Sequence, residues 1–278
     1  MSRHRLVLTA AAAVALGPAT SNPATSQVPL GIRTANGLTV TPVFEGWYRN
    51  PDGTFSLSFG YYNRNFEEIV ELPHGSANHL EPADYNGTQP TRFHPRRHWG
   101  VFAVKVPADF GDQAVVWTID FRGQRDSIPG TLHVDWQIDA LEGEASAGNT
   151  PPVLSFDEGA TEGAGPAGTW GGPIEARAGI PVELTVWGSD DGRVRIGRRP
   201  QSSVALRWFK HLGPGDVTFS EESGEVPVDG GAMTTMATFE GPGEYVVRVR
   251  ANDSSGVSSG GHAQCCWTNG FVRVNVIH

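Results

Sequence analysis

The sequence is poor in cysteine, lysine and positive charge. Its only cysteines, Cys265 and Cys266, are adjacent, so they cannot join distant strands into a disulfide framework. Lys105 and Lys210 are the only lysines, and 30 acidic residues outnumber 21 basic ones, for a net charge of −9. An acidic chain repels nucleic acid and anionic lipid surfaces. We therefore expect no nucleic-acid partner.

Patterns typical of long helices are also scarce. Charged residues make up 18% of the chain, too few for a coiled coil, and 35 glycines with 20 prolines argue against a mostly helical enzyme. Eight Trp, five Tyr and thirteen Phe are enough aromatic residues to fill a core. We expect a folded chain that is rich in strands and turns.

The N-terminus has the features of an export signal. Basic residues 3–5 precede the apolar stretch 6–17, which is shorter than the roughly 20 residues a bilayer requires but suits a signal-peptide core. Small residues downstream offer three cleavage patterns, the last ending at Ser26. We predict a signal peptide over 1–26 and a secreted or periplasmic mature chain without a membrane span. The alternative is a disordered Ala-rich tail.

Alternating apolar and polar residues predict an N-terminal β-sandwich over residues 33–141. In the clearest run, Phe55, Leu57, Phe59 and Tyr61 share one face of a strand. Further strands are predicted at 101–106, 115–121 and 132–138, with weaker ones at 38–44 and 68–72. No stretch beyond the signal predicts an amphipathic helix.

A second β-sandwich is predicted over 153–278, after a Gly/Ala/Glu/Pro-rich linker at 142–152. A loop is expected at 158–172. About seven short alternating runs follow, separated by Gly, Pro and Asp turns, as in an immunoglobulin-like domain. The predicted fold class is all-β, with two antiparallel sandwiches in tandem.

Three segments of the second half resemble a PKD-type immunoglobulin-like domain of bacterial extracellular proteins. They are VELTVWGSDDG at 182–192, LRWFKHLGPGDVTF at 206–219, and ATF at 237–239 followed by GPGEYVVRVRAND at 241–253. The resemblance covers about 174–277. The sequence departs from the commonest subtype, because it lacks a W-D-F-G-D-G run and carries a Cys-Cys-Trp insertion before its last strand.

The resemblance implies adhesion, spacing, or contact with carbohydrate or protein, and no chemistry. From the residues themselves, Trp208 lies where a central strand buries a large ring, and Tyr245 follows a Gly-Pro-Gly turn like a tyrosine corner. In the first half, segments 44–54 and 59–65 resemble the opening of uncharacterised exported bacterial proteins. That likeness implies no activity.

Two groups of residues are candidate metal ligands. His74, His79, His94 and His98 fall in a proline-rich window, and imidazole is a common ligand, but their spacing fits no helix and an ordinary polar loop is the alternative. Asp190, Asp191 and Asp253 flank turns near the ends of the second sandwich, where carboxylates can hold calcium or simply form turns. No cofactor is predicted firmly, and calcium is possible.

Aromatic residues and the two cysteines complete the candidates. Trp47, Tyr48, Tyr62 and Trp99 can stack on a sugar ring, or they can belong to the core or to packing between domains. Cys265 and Cys266 can form a vicinal disulfide, pair with another chain, or stay reduced.

The sequence contains no nucleophile elbow, P-loop or dinucleotide-binding motif. We therefore predict a non-enzymatic binding or structural protein of the cell envelope or extracellular space, with protein or polysaccharide as the partner. The alternatives are a carbohydrate-binding module that uses the N-terminal aromatics and a metal-dependent hydrolase that uses the His74–His98 region.

Overall fold

The computed structural model describes residues 34–141, 148–157, 161–193, 201–253 and 264–278. The predicted signal peptide and most of the predicted linker lie outside these ranges. Regular structure within them is almost entirely β-strand, with two short 3-10 helices, which confirms the predicted all-β class. No helix in the described ranges is long and apolar enough to cross a membrane.

Residues 34–141 are called the N-terminal module here. Its two 3-10 helices span Ala83–Tyr85 and Val134–Trp136. Its strands are β1 (Val40–Arg49), β2 (Phe55–Asn63), β3 (Val70–Glu71), β4 (Asn78–Glu81), β5 (Arg92–Phe93), β6 (Arg96–Val106), β7 (Val115–Phe121) and β8 (Gln124–Gly130).

The N-terminal module packs an antiparallel sheet β1-β2-β6 against an antiparallel sheet β4-β7-β8, with β3-β5 as a small third sheet. The alternating apolar side chains of β2 face the other sheet, as the pattern predicts. Phe59 is fully buried and packs against Phe102 and Trp117 at centroid distances of 5.4 and 6.2 Å. These rings form the centre of the core.

The strand predicted at 132–138 is wrong. A 3-10 turn lies there instead, and Val134 and Trp136 are exposed. The next strand after β7 is β8, which pairs with β7 on the side opposite β4 and begins directly after Arg122 and Gly123, both in the left-handed region. Two such residues form a tight hairpin turn. The alternation analysis does not detect β8, because its sequence is mostly polar. A polar sequence is compatible with its position as an edge strand of its sheet.

The described residues from 148 onward are called the C-terminal module. Its strands are β9 (Val153–Ser155), β10 (Gly163–Ala164), β11 (Thr169–Arg177), β12 (Val182–Ser189), β13 (Ser203–Leu212), β14 (Val217–Phe219), β15 (Ser223–Pro227), β16 (Gly231–Phe239), β17 (Gly243–Asn252) and β18 (Trp267–Ile277).

Two five-stranded sheets form this second sandwich, β10-β9-β12-β16-β14 and β11-β18-β17-β13-β15. Trp208 of β13 is fully buried in its core. The Tyr245 hydroxyl donates a hydrogen bond to Gly241 O (2.9 Å) and accepts one from Gly215 N (3.0 Å), as a tyrosine corner requires.

The predicted loop at 158–172 is partly wrong, because β10 and the start of β11 lie within it. Strand β11 pairs with β18 in parallel, and the register shifts between Gly171 and Ile174, where Gly172 and Pro173 lie. A Gly/Pro-rich strand without alternation carries no period-2 signal. The two modules together form one compact unit, Thr34–His278.

Candidate functional site at the module junction

The outward face of the sheet β11-β18-β17-β13-β15 is not a solvent face. Its cross-strand register places Phe209, Arg248 and Phe271 side by side on β13, β17 and β18. All three are buried. Phe271 and Val246 join the apolar cluster of the N-terminal module, so this face is covered by that module.

Hydrogen bonds to the backbone join the two modules. Asn269 Nδ2 donates to Gly100 O (2.7 Å), and Arg248 Nη1 donates to Val101 O (3.1 Å). The Trp267 indole packs on Gly100, whose φ of +45° and lack of a side chain allow this close approach. Buried donors satisfied by backbone acceptors fix the position of one module on the other.

Two further contacts extend the junction on the side of His211. Thr91 N donates to His211 O (2.9 Å), and the His211 ring donates from Nε2 to Thr88 O (2.9 Å). Burial, with Arg248 nearby, lowers the pKa of His211 to about 3, so the ring is neutral at neutral pH. The Lys210 ammonium, also buried, contacts Glu71 of the N-terminal module (3.1 Å).

A buried ion pair lies behind the junction. The register shift between Phe44 and Gly46 leaves Glu45 unpaired in the ladder, and its carboxylate contacts Arg97 Nη2 at 2.6 Å. Burial raises the pKa of Glu45 to about 7, although Arg97 opposes the shift. Any side chain at Gly60 would collide with this pair. Gln264 of the C-terminal module donates to Glu45 O (2.7 Å).

An arginine cluster surrounds Phe209 at the edge of the junction. The guanidinium carbons of Arg207, Arg248 and Arg250 lie 5.3, 4.7 and 5.5 Å from its ring centroid. Burial is the main cause that lowers the pKa of Arg248 to about 9 and that of Arg250 to about 10, each aided by a neighbouring arginine. Both groups therefore keep their charge at neutral pH. Arg207 is paired with Glu222 (2.7 Å).

Two of the four candidate histidines are brought to this cluster. The His94 and His98 rings lie 5.9 Å apart, and both contact Phe209 edge-on. Burial and nearby arginines lower the pKa of His94 to about 4 and that of His98 to about 3. His74 instead contacts Gln89 O, and His79 faces Glu81. The structure does not bring the four imidazoles together.

The three candidate aspartates lie within electrostatic reach of each other. Burial, with Asp191 and Asp253 nearby, raises the pKa of Asp190 to about 6. Each carboxylate accepts a hydrogen bond, from Gln201 to Asp190, from Thr150 to Asp191 and from Asn149 to Asp253. Among the described residues, no group of three or more His, Cys, Asp or Glu is placed to hold a metal ion. Calcium binding here stays a prediction.

The four candidate aromatic residues are divided between the core and the surface. Trp47 and Tyr48 are buried, and the Tyr48 hydroxyl accepts a hydrogen bond from Ala167 N (2.9 Å) of the C-terminal module. Tyr62 and Trp99 are partly exposed, but Arg96 covers one ring and Arg97 the other. The carbohydrate hypothesis therefore depends on the uncovered faces of Tyr62 and Trp99.

Cys265 and Cys266 are joined in a vicinal disulfide, the ring form among the three that the sequence leaves open. Both residues are buried, and their sulfur atoms lie 3.7 and 3.6 Å from Asn149 O. The predicted linker ends in this region, where Asn149, Pro151 and Pro152 are buried.

Sequence reasoning missed Arg207, Phe209, Arg248 and Arg250. Arginines on the outward face of a strand normally indicate solvent. The sequence does carry one sign that this face is covered, namely its large apolar residues. Phe209, Val246 and Phe271 lie on the face of the sheet away from the core residues, on three strands that pair side by side. Large apolar residues on both faces of one sheet indicate that both faces are covered.

No protein-family model and no curated protein matches the sequence. Among solved structures, the chain is similar to the D00-D0 domain of intimin, with 14% identity, 86% of this chain and 100% of that chain covered, and a TM-score of 0.29. It is also similar to domains 4 and 5 of the S-layer protein SbsC, with 11% identity, 87% and 98% covered, and a TM-score of 0.22. WR4, a C. elegans MSP family member, matches at 11% identity over 38% of this chain and 93% of that one, with a TM-score of 0.24. Likenesses this weak carry no inference about function.

Proposed function

We propose that the chain is an exported, non-catalytic protein whose two β-sandwiches act as one rigid binding or structural element at or outside the cell envelope. The observation that carries this proposal is the junction. Asn269 and Arg248 of one module donate hydrogen bonds to the backbone of the other at Gly100 and Val101. A junction sealed in this way holds two surfaces in a fixed relation, which suits a spacer or a binding scaffold.

Export is supported by the three-part N-terminal pattern and by the buried disulfide. Disulfides persist in oxidising compartments and are rare in a reducing cytosol. The test is expression of the full chain and of a variant lacking residues 2–26 in a bacterial host, followed by fractionation and intact-mass measurement. We expect the full chain outside the cytoplasm without Met1, and the shortened chain inside. A full chain that stays in the cytoplasm with Met1 intact overturns the export proposal.

The PKD-type resemblance remains part of this proposal. The buried Trp208 and the hydrogen bonds of Tyr245 support it, because both are expected of that module. A protein or a polysaccharide is the proposed partner. Pull-down of purified chain on cell-wall fragments and on insoluble polysaccharides tests this, and binding to neither material removes the proposed partner classes.

Calcium is proposed only at Asp190, Asp191 and Asp253. Of the described candidate metal ligands, these carboxylates have the hard oxygen chemistry that calcium prefers. Thermal unfolding with calcium, with magnesium and with a chelator tests the site. A calcium-specific rise in the midpoint that Asp190→Asn abolishes supports it, and identical midpoints in all three conditions remove it.

A further inference from the structure

The arginine cluster around Phe209 holds positive charge that no carboxylate balances. Arg207 has Glu222 as its partner, but the described residues include no carboxylate within ion-pair distance of Arg248 or Arg250. Arg250 lies directly opposite Arg207 in the β13–β17 ladder. Like charges placed opposite each other across two strands are destabilising. The chain is acidic overall, so this local excess of two positive charges is unusual in it.

Several buried donor groups in the cluster also lack an acceptor. The Nε atoms of Arg248 and Arg250 and the Nε2 atom of His94 are buried, and none has a hydrogen-bond partner among the described residues. Buried polar atoms in folded proteins nearly always have a partner in the protein, in water or in a bound ion. The His94 ring is neutral at neutral pH, so its Nε2 can carry a hydrogen and donate it.

The aromatic ring does not account for this arrangement. A cation over a ring face is attracted to it. Phe209 offers only two faces, whereas three guanidinium groups and two imidazoles surround it. A single neutral ring adds no negative charge and accepts no strong hydrogen bond.

We propose that the module junction binds an oxyanion, a carboxylate, sulfate or phosphate group, beside Phe209 between Arg248, Arg250 and His94. Such a group supplies both missing features, because its negative charge offsets the excess positive charge and its oxygens accept hydrogen bonds from the Nε and Nε2 donors. Arg207 is about half exposed, and Arg250 and His94 are partly exposed, so the edge of the cluster reaches solvent. The anion is either a free ion or the acidic group of a polymer.

The test compares three variants of the full chain. Arg250→Gln removes one unpaired charge, and Arg250→Lys keeps the charge without the fork of donors. Arg273→Gln is the matched control, because Arg273 lies on the same sheet, over Trp170 (4.4 Å), outside the cluster. Thermal unfolding and calorimetry are run with sodium acetate, sulfate and phosphate against chloride at constant ionic strength, and with polygalacturonate as the polymer.

We expect wild type and Arg273→Gln to bind an oxyanion saturably. The affinity of Arg250→Gln should be about tenfold lower or more, because a charged hydrogen bond is lost. Arg250→Lys should be intermediate. Sulfate also stabilises proteins by exclusion from their surfaces, so the difference between variants is the diagnostic quantity. Without added oxyanion, Arg250→Gln should unfold at the same temperature as wild type or higher.

The binding results distinguish a site for a free ion from a site for an acidic polymer. Binding of small anions identifies a free-ion site, and binding of polygalacturonate alone identifies a polymer site. Equal responses of all variants to every anion overturn the proposal. So does a lower unfolding temperature of Arg250→Gln without oxyanion, since that result makes Arg250 a structural cation. The inference does not depend on export, so it survives or fails independently of the proposed function.

Discussion

The two faces of strand β2 are equally buried but for different reasons. One face carries Phe55, Leu57 and Phe59 into the apolar core. The alternate positions Ser56 and Ser58 have the composition of a solvent face, yet both are fully buried. On this side, Tyr48, Glu45 and Gly100 contact the C-terminal module. Alternation thus identifies the core face, whereas a second module decides whether the other face meets solvent.

The largest expected effect is on the core face. Phe59→Ala removes a ring stacked on Phe102 and enclosed by Trp117 and Phe44. We expect a loss of about 3–5 kcal/mol in the free energy of unfolding, because transfer and cavity costs add. Urea unfolding measures it. A loss below about 1 kcal/mol would show that this face is not a packed core.

The next effect concerns the ion pair of Glu45 and Arg97, on the side of β2 that carries Ser56 and Ser58 (the polar face). Arg97→Met leaves the Glu45 carboxylate, whose side chain is 1% exposed, without its cation. We expect a loss of about 3 kcal/mol at about pH 9, where the Glu45 carboxyl with its pKa of about 7 is ionised, because an unpaired buried charge is costly. The matched variant Glu45→Gln removes the charge and should cost about 1 kcal/mol. Equal losses in the two variants would mean that the pair is solvated.

The pH dependence of stability tests the burial of the junction histidines. His94, His98 and His211 have pKa values of about 4, 3 and 3 in the folded protein, below their ordinary value of 6.5. Acidification therefore protonates the unfolded chain first. The stability these rings contribute is complete above about pH 6.5 and is lost as the pH falls toward their folded values.

Glu45 and Asp190 have the opposite effect, so they increase the stability of the folded state as the pH falls. Their raised pKa values make the folded state bind protons more strongly than the unfolded chain. Three histidines outweigh these two carboxyls, so we expect stability to fall between about pH 7 and pH 4. His98→Gln should flatten that fall, and His133→Gln, at an exposed position, should not. Unfolding free energies measured across this range check the prediction, which a rise in stability toward acid would contradict.

The smallest expected change in stability is at Ser58, and it tests whether its buried hydroxyl group makes a hydrogen bond. Ser58 Oγ is buried without a hydrogen-bond partner among the described residues. Ser58→Ala should therefore change the free energy of unfolding by less than about 0.5 kcal/mol, or raise it, because no bond is lost. A loss above about 1 kcal/mol in urea unfolding would show that the hydroxyl has a partner.

The sequence predicted those strands whose alternation reflects a core face, such as β2, β7 and β13. It missed β8 and β11, since an edge strand with polar residues and a Gly/Pro-rich strand carry little periodicity. Most residues of the candidate site could not be predicted from the sequence. His94 and His98 were singled out, but their neighbours Phe209, Arg248 and Arg250 come from the other module, and sequence periodicity does not reveal which faces meet.

Hydrogen–deuterium exchange at increasing urea concentration, resolved by peptide, tests the central claim most directly. If the junction joins the modules into one cooperative unit, amides of β2 and β17 lose protection at the same urea concentration. Earlier loss of protection in β2, with β17 still protected, would contradict the claim. It would show that the polar face of the N-terminal module is not sealed by its neighbour.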